Sequence, residues 1–288
     1  MKEPDNFPGM PLISVITATY NAAAFLENSI KSVINQSYKN IELIIIDGGS
    51  TDQTIEIIKK YQDRIKYWIS EKDRGVYDAW NKGLARSNGD WICFLGADDV
   101  FIDEGTIANA VPFLNSAGTQ NIRYVYGKVK LLSIAGDKLI TTWGEPWSEA
   151  KKNIFKYMTI THCGAFHHKD LFKEHGNFDT NFRITGDYEL TLREFSSGKD
   201  ALFIDQPLTA MRAGGISADL KLKIVVAREN IKALRKNNQP ILFHHYVQIA
   251  KARISNVLIR VIGIGNVKRG SDVYRRLTGK DPLWTKIE

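Results

Sequence analysis

The first hundred residues alternate between short apolar runs and longer stretches in which apolar residues recur every three or four positions. Three runs have the length and composition of buried strands: Leu12–Ile16, Ile41–Ile46 and Trp91–Leu95. A further short strand is predicted at Ile65–Ser70. The stretches between them have helical spacing, most clearly at Leu26, Ile30, Val33 and Ile34. Strands and helices in alternation predict βαβ units, and therefore an α/β fold with a mostly parallel sheet flanked by helices.

The pattern beyond residue 100 is less regular. Ile107 and Val111 predict a helix after Asp103, and a further short helix is predicted at Asp170–His175. Two strands joined by a tight turn are predicted at Arg123–Gly127 and Val129–Ile134. A later helix starts near Asp187 and carries Leu190, Leu192 and Phe195.

Carboxylates stand at the polar ends of the predicted parallel strands. The residues in question are Asp47, Asp73, Asp98 and Asp99. Carboxyl ends of parallel strands meet at one edge of the sheet, where open α/β sheets bind ligands. Mg²⁺ and Mn²⁺ commonly bind one or two carboxylates together with substrate phosphates, so Asp98 and Asp99 predict a site for a metal and a diphosphate. A single Asp is more typical of a helix cap, but several at one edge favour the site.

Composition places the chain among ordinary folded proteins but reveals a basic tail. The 288 residues are 43% apolar and 25% charged, with a formal net charge of +7. Residues 219–288 hold 15 Lys and Arg against 5 Asp and Glu, so the body of the chain is slightly acidic. The only cysteines, Cys93 and Cys163, have no metal-type spacing, which indicates a reducing compartment. Residues 1–11 lack the apolar core of a signal peptide, so we expect no export.

The basic tail predicts helices. Residues 220–237 have the pattern of a basic helix. A second helix begins at Phe243, and its apolar face consists of Tyr246, Val247, Ala250, Ile254, Val257, Leu258 and Val261. Such a helix either lies on an anionic membrane surface or packs against the rest of the protein, and the surplus of positive charge favours the membrane. Nucleic acid is not an expected partner, since no recognition motif accompanies the charge.

Three further features leave their alternatives open. His162 and His167 suggest zinc, but the sequence offers no third ligand at a suitable spacing. Asp187 at a helix start is either a cap or a catalytic base. The glycines of Gly214–Ser217, which follow Arg212, are compatible with a closing loop or with an ordinary turn.

Four motifs in this order resemble glycosyltransferase family 2, whose members have the GT-A fold. They are Ile13–Asn21, Ile44–Asp52, Gly89–Asp99 and Gly186–Leu190. Within the family, the stretch Glu71–Gly83 and the Gly96–Asp99 ending are similar to bacterial enzymes that build O-antigen, colanic acid and related surface polysaccharides. The resemblance implies inverting transfer of a sugar from a nucleoside-diphosphate donor, most often UDP-linked, with Mg²⁺ or Mn²⁺.

The resemblance also implies roles for individual residues. Thr17, Thr19, Asp47 and Asp73 match positions that line the nucleoside pocket. Asp98 and Asp99 match the metal-binding DxD region, and Asp98 also faces the donor. Asp187 matches the catalytic base, with Glu189 in reserve. Arg193 and Arg212 are candidates for contact with the diphosphate.

Glycine replaces a common family carboxylate at three positions. Gly48 follows Asp47 where the family often has a second Asp, and Gly96 replaces the first Asp of an Asp-Ala-Asp-Asp motif. Gly186 stands where a Glu often precedes the base. We therefore expect one nucleobase or ribose contact to be absent or shifted, and the metal and ribose roles to be divided differently between Asp98 and Asp99. The assignment of the catalytic base rests on Asp187.

The combined expectation is a GT-A catalytic domain at residues 10–217 and a basic, mainly helical extension at residues 218–288. The acceptor is expected to be a lipid-linked oligosaccharide, and the protein to be cytoplasmic and peripheral on the inner face of a bacterial inner membrane. The absence of Gly-x-Gly-x-x-Gly after the first strand weighs strongly against a dehydrogenase. A non-catalytic protein that binds nucleotide sugars is the remaining alternative.

Overall fold

The computed structural model describes residues 9–279 and 282–287. Its strands are β1 (Ile13–Thr19), β2 (Ile41–Asp47), β3 (Tyr67–Ser70), β4 (Trp91–Phe94), β5 (Val100–Phe101), β6 (Tyr124–Leu132), β7 (Leu139–Trp143), β8 (Ala165–His168) and β9 (Leu202–Arg212). Its α-helices are α1 (Leu26–Ile34), α2 (Thr54–Lys60), α3 (Val76–Leu84), α4 (Thr106–Thr119), α5 (Trp147–Asn153), α6 (Lys169–His175), α7 (Gly186–Ser196), α8 (Lys223–Lys236), α9 (Phe243–Ile262), α10 (Ile264–Leu277) and α11 (Trp284–Ile287). Short 3-10 helices lie at Gln62–Arg64, Ile216–Ala218 and Leu220–Leu222.

One mixed sheet organises these elements in the order β3-β2-β1-β4-β8-β6-β9-β5, with β7 paired to β6. Strands β1 to β4 are mutually parallel, as the alternating pattern predicted. Strand β8 runs antiparallel to β4, and β6 and β9 are parallel to each other. The mostly parallel α/β class is thus confirmed, and the carboxyl ends of β1 to β4 share one edge.

The prediction of two strands around Gly127 is wrong, because β6 runs through this position without a turn. A Cβ on Gly127 would lie 2.5 Å from side-chain carbons of Leu208 on β9. The glycine therefore permits a close approach between two strands, and the pairing of β6 with β9 shifts register next to it.

Strands β8 and β9 were not predicted. Strand β9 contains Pro207, which lacks a backbone N–H and reads as a break in a strand pattern. The structure accommodates this proline where the register between β6 and β9 shifts. Strand β8 is only four residues long and holds two histidines, His167 and His168, so its sequence lacks the apolar run that identified the other strands.

The sheet has a hydrophobic core on each side, and α8 contributes to one of them. Ala233 and Leu234 of α8 are fully buried in the core that also contains Leu190 and Phe195 of α7. Residues from Phe243 onward are packed differently. Most of the predicted apolar face of α9 is exposed, including Val261 at 74%.

The two predicted tail helices are thus present, and α10 extends the helical region further. Helix α9 is held by a buried face that includes His245 and Ala252. Within the described residues, no helix combines the length and apolar character needed to span a membrane. The boundary at residue 217 stays a prediction.

Candidate active site

The pair Asp98 and Asp99 lies just beyond β4, at the shared edge of the sheet. Asp99 is buried with 6% exposure, whereas Asp98 is half-buried. The Oδ1 atom of Asp99 is buried and has no hydrogen-bond partner among the described residues. A buried, unpartnered carboxylate oxygen is costly unless a ligand such as a cation binds it.

The electrostatics of Asp99 support the same interpretation. Burial and, secondarily, the charge of Asp98 raise its pKa from the ordinary 3.8 to about 7. The nearby thiol of Cys163, which precedes β8 and donates to Oγ1 of Thr209 at 3.3 Å, partly opposes this rise. A divalent cation would neutralise both carboxylates, and the hard oxygen ligands suit Mg²⁺ or Mn²⁺. The residues therefore fit the metal that the sequence implies.

The structure gives a local reason for Gly96. A Cβ at this position would lie 2.6 Å from Oδ2 of Asp99 and 3.2 Å from Oδ1 of Asp98. The backbone N–H of Asp99 also donates to the carbonyl of Gly96 at 3.1 Å, which closes a tight turn. The absent side chain thus leaves room for the carboxylate pair in its present arrangement.

Asp47 occupies the end of β2 and is fully buried. Its carboxylate accepts hydrogen bonds from the backbone N–H groups of Gly49 (3.1 Å) and Ser50 (2.9 Å). The hydroxyls of Ser50 and Ser70 also donate to it, at 2.5 and 2.6 Å. Because four protein donors bind this carboxylate, Asp47 shapes the loop at the sheet edge. A direct contact with the nucleoside stays a prediction.

Asp73 lies beside the same loop. A Cβ on Gly48 would be 2.6 Å from Oδ2 of Asp73, so the two segments approach closely at the end of β2. The Oδ1 atom of Asp73 accepts from the backbone N–H of Gly75 at 2.9 Å, immediately before α3. Asp73 is partly exposed and stands where it can bind a ligand above the sheet edge.

The two threonines belong to β1 itself, which is longer than the predicted run. Thr17 and Thr19 are buried at 2% and 4% exposure. The Oγ1 atom of Thr19 has no hydrogen-bond partner among the described residues. Its backbone carbonyl accepts from Gly48 N–H at 2.9 Å, so Thr19 and Asp73 flank the same glycine.

Asp187 lies in the first turn of α7, and Tyr77 of α3 contacts it. The Tyr77 hydroxyl is 3.1 Å from Oδ1 of Asp187 and donates to the carbonyl of Ile184 at 2.6 Å. Burial raises the pKa of Asp187. A Cβ on Gly186 would lie 2.9 Å from the Tyr77 ring, so a glycine is needed for this contact. The start of α3 thus lies next to Asp73, and its residue Tyr77 contacts Asp187.

Glu189 differs from Asp187 in that basic side chains pair with its carboxylate. It is fully buried, and Arg193 and Lys236 bind its two oxygens at 2.8 and 3.1 Å. Arg193 is also engaged with backbone carbonyls of residues 175–177. Both residues thus form part of the packing between α7 and α8.

Sequence reasoning missed Glu229, a residue of α8 that shapes the loop in front of Asp187. Its carboxylate accepts hydrogen bonds from the backbone N–H groups of Arg183 (2.7 Å), Ile184 (2.9 Å) and Thr185 (2.9 Å). Its charge also raises the pKa of Asp187. The only signal in the sequence was an acidic residue within a basic helix.

Arg212 ends β9, which pairs through Ala210 with Val100, the residue after Asp99. Its guanidinium lies 4.6 Å from the centre of the Phe25 ring and donates to the carbonyl of Ala135. The side chain therefore joins three segments near the carboxylate pair. Contact with a diphosphate stays a prediction.

His162 is stacked in an aromatic cluster rather than placed in a metal site. Its ring centre lies 4.9 Å from those of Trp80 and His167 and 5.2 Å from that of Phe94. Burial, with a smaller contribution from His167, holds its pKa well below the usual range, so the ring is neutral. No group of three or more His, Cys, Asp or Glu residues within the described ranges is arranged to hold a metal by itself.

Similarity to solved structures identifies the fold. The chain superimposes on the mannosyltransferase PcManGT from Pyrobaculum calidifontis, in complex with GDP-Man and Mn²⁺, with a TM-score of 0.62, 16% identity and coverage of 96% of this chain and 83% of that one. S. aureus TarS 1–349 in complex with UDP-GlcNAc gives a TM-score of 0.60 at 16% identity, with coverage of 92% and 77%. The chain covers 43% of a longer TarS chain. The fold is thus that of GT-A glycosyltransferases.

Sequence similarity identifies the family. The model of the family described as Glycosyl transferase family 2 matches residues 14–174. A "PGL/p-HBAD biosynthesis glycosyltransferase" of Mycobacterium bovis is 31% identical over 190 residues, which cover 65% of this chain and 71% of the relative. This chain therefore belongs to glycosyltransferase family 2 and is an enzyme of sugar transfer.

Proposed function

We propose that this enzyme transfers a sugar, with inversion, from a UDP-sugar to a hydroxyl of a lipid-linked oligosaccharide in bacterial surface polysaccharide synthesis. The observation that carries the proposal is the arrangement of Asp98 and Asp99 at one strand end and of half-buried Asp187 beside Tyr77. The similar TarS and PcManGT structures hold UDP-GlcNAc and GDP-Man, which supports a nucleoside-diphosphate donor.

The donor binds at the shared edge of β1 to β4. In this proposal Thr17, Thr19, Asp47 and Asp73 surround the nucleoside, and Arg212 approaches the diphosphate. Asp98 and Asp99 would hold Mg²⁺ or Mn²⁺. Such an ion stabilises the negative charge that develops on the departing diphosphate.

Asp187 is the base in this proposal. The Tyr77 hydroxyl and the backbone N–H of Tyr188, at 2.9 Å, both bind its Oδ1 atom. We therefore assign uptake of the acceptor proton to Oδ2. The hydroxyl attacks the anomeric carbon as it loses this proton, the bond to the diphosphate breaks, and a single displacement inverts the anomeric configuration.

The C-terminal helices support a membrane-bound acceptor. Exposed apolar side chains on α9 and α10 include Ile254, Val257, Leu258, Val261, Val273 and Leu277. Basic residues border them on the same helices, such as Arg253 and Arg260. Interfacial helices of this kind insert apolar side chains between headgroups and place Lys and Arg among the phosphates. We accordingly propose a peripheral position on the inner face of the inner membrane.

Calorimetry tests the donor assignment. We expect one nucleotide among UDP, GDP and their sugar conjugates to bind when Mn²⁺ is present, and Asp98→Ala/Asp99→Ala to remove this binding. Absence of metal-dependent binding in the wild type would contradict the donor site.

A second variant tests the base. Asp187→Asn should retain donor binding and reduce the rate of transfer by about a thousandfold or more. The amide cannot accept the proton, so the contribution of general-base catalysis is lost. Full activity of this variant would contradict the base assignment. Donor binding by the wild type without turnover on any acceptor would favour the non-catalytic alternative.

A further inference from the structure

A groove of about 640 Å³ lies between α8, α9 and the segment that follows α5. It is separate from the carboxylate pair described above. Its polar lining includes Lys156, Tyr157, Ser217, Lys223, His244 and Lys251.

The groove has an unbalanced positive charge. None of the described residues that line it is acidic. Lys156 binds Oδ1 of Asn153 at 3.0 Å, and Lys223 lies 5.8 Å from the centre of the Trp284 ring. Desolvation lowers the pKa of Lys223, although more than a third of the residue remains exposed. A bound anion would offset this cost.

Asn230 adds a neutral hydrogen-bonding group to the groove. The buried Oδ1 atom of its side chain has no partner among the described residues. The oxygen and nitrogen of an amide are interchangeable by rotation, so the same side chain can present an N–H donor to an anion.

The chain segments that form the groove are joined to those that hold Asp187. The carbonyl of Ile154 accepts from the hydroxyl of Tyr188, next to Asp187, at 2.6 Å. Two residues further on, Lys156 lines the groove. On the opposite wall, Asn230 follows Glu229 in α8. A ligand in the groove is therefore close to the segments that position the base.

An exposed apolar strip continues the groove along α9. Lys251 and Ser255 line the groove, and Leu258 and Ile262 follow each of them by seven residues. Positions seven apart lie on the same face of a helix. Leu258 and Ile262 are exposed at 42% and 46%. The cationic lining of the groove is thus followed by an apolar surface. This order complements the anionic head and the hydrocarbon chain of a phospholipid or a prenyl phosphate.

We propose that this groove binds the phosphate or diphosphate head of the lipid that carries the acceptor, with the hydrocarbon chain along the strip of α9. The inference rests on the proposed function and specifies how the acceptor is held. Recognition combines charge-assisted hydrogen bonds from Lys156, Lys223 and Lys251 with burial of apolar surface.

Farnesyl diphosphate is the probe, titrated into the full chain by calorimetry in EDTA so that metal-dependent binding at Asp98 and Asp99 is excluded. We expect Lys223→Ala/Lys251→Ala to weaken its binding by about tenfold or more, since two charge-assisted contacts are lost. The control, Lys59→Ala/Lys66→Ala, removes two exposed lysines outside the groove and should bind as the wild type does.

Inorganic diphosphate and farnesol separate the head from the tail. Each should bind more weakly than farnesyl diphosphate, and Leu258→Ser/Ile262→Ser should affect only the ligands with a tail. Equal affinity of the groove and control variants for farnesyl diphosphate would overturn the proposal. Inorganic diphosphate that binds as tightly as the prenyl ester would overturn the lipid assignment.

Donor binding gives an independent result. UDP titrated with Mn²⁺ should bind the groove variant and the wild type alike. Lysine-dependent binding of farnesyl diphosphate without any UDP binding would keep the groove and refute the proposed function. Normal UDP binding without binding of farnesyl diphosphate would refute the groove alone.

Discussion

Helices α8 and α9 are neighbours in the chain and both combine apolar residues with Lys and Arg, but they are packed in different ways. One face of α8 enters the catalytic core through Ala233 and Leu234, and its charged residues bind α7 and the loop before it. Helix α9 buries little and leaves Val257 and Val261 exposed. Similar composition therefore gives a supporting helix in one case and an open surface in the other.

The largest expected difference between the two helices is in how much each contributes to the stability of the folded protein. A chain that ends at residue 217 lacks α8 and should fail to fold, because part of a core and the partner of residues 183–185 are lost. A chain that ends at residue 241 keeps α8 and should melt cooperatively. Thermal unfolding followed by circular dichroism checks both, and equal melting of the two chains would contradict the distinction.

The next expected effect is on catalysis through Glu229. Glu229→Gln should lower kcat by about tenfold, since the loop that carries Asp187 loses part of its anchoring. The loss of the negative charge also lowers the pKa of Asp187, so the acidic limb of the pH–rate profile should move to lower pH.

One control variant accompanies this measurement. Glu56→Gln removes an exposed carboxylate from α2 and should leave both kcat and the pH profile unchanged. A reduced kcat with an unmoved acidic limb would contradict the electrostatic part of the prediction.

On α9 the expected effect concerns the membrane and not catalysis. Val257→Ser/Val261→Ser should weaken binding to phosphatidylglycerol vesicles by about tenfold, because apolar surface no longer enters the interface. Removal of residues 240–288 should release the protein from vesicles altogether. Co-sedimentation measures both, with Leu139→Ser on β7 as an exposed apolar control. Unchanged binding of the variants would show that α9 does not meet the membrane.

The smallest expected effect is on the melting temperature, which we compare for a variant in the site and a variant in the tail. The pKa of Asp99 is raised in the folded state, so its contribution to stability is present below pH 3.8 and is lost as the pH rises through about 7. Without metal, Asp99→Asn should therefore raise the melting temperature by a few degrees at pH 7 and have little effect at pH 4. A serine variant of Val261 should show no such pH dependence, and a pH-independent effect of Asp99→Asn would contradict this origin.

The predictable part of the molecule is its parallel half. Buried parallel strands read as continuous apolar runs, which made β1, β2, β4 and the position of Asp98 and Asp99 apparent, whereas β3 at the edge of the sheet is half-buried. The antiparallel strands were harder to predict because they contain residues that are untypical of strands but serve a particular contact. Gly127 resembles a turn residue, yet it serves the approach of Leu208.

The sequence allowed prediction of those site residues that come directly after a strand. Tyr77 contacts Asp187, and Glu229 binds the loop before it, from helices distant in sequence, and no local pattern predicts such contacts. The glycines at positions 48, 96 and 186 were noted as departures from a family motif. Only the structure showed that each stands against a side chain of the candidate site.

We expect the catalytic unit to end near residue 241, where Gln239 binds Ser196 at 3.0 Å and Ile241 is partly buried. Enzymes that exchange acceptor specificity by recombination need a crossover point that cuts few contacts. We expect a junction at Leu242, beyond α8 and before α9, to keep the contacts between α7 and α8. A hybrid joined there would carry a foreign α9 on an intact donor site, whereas one joined at residue 217 would separate Asp187 from Glu229.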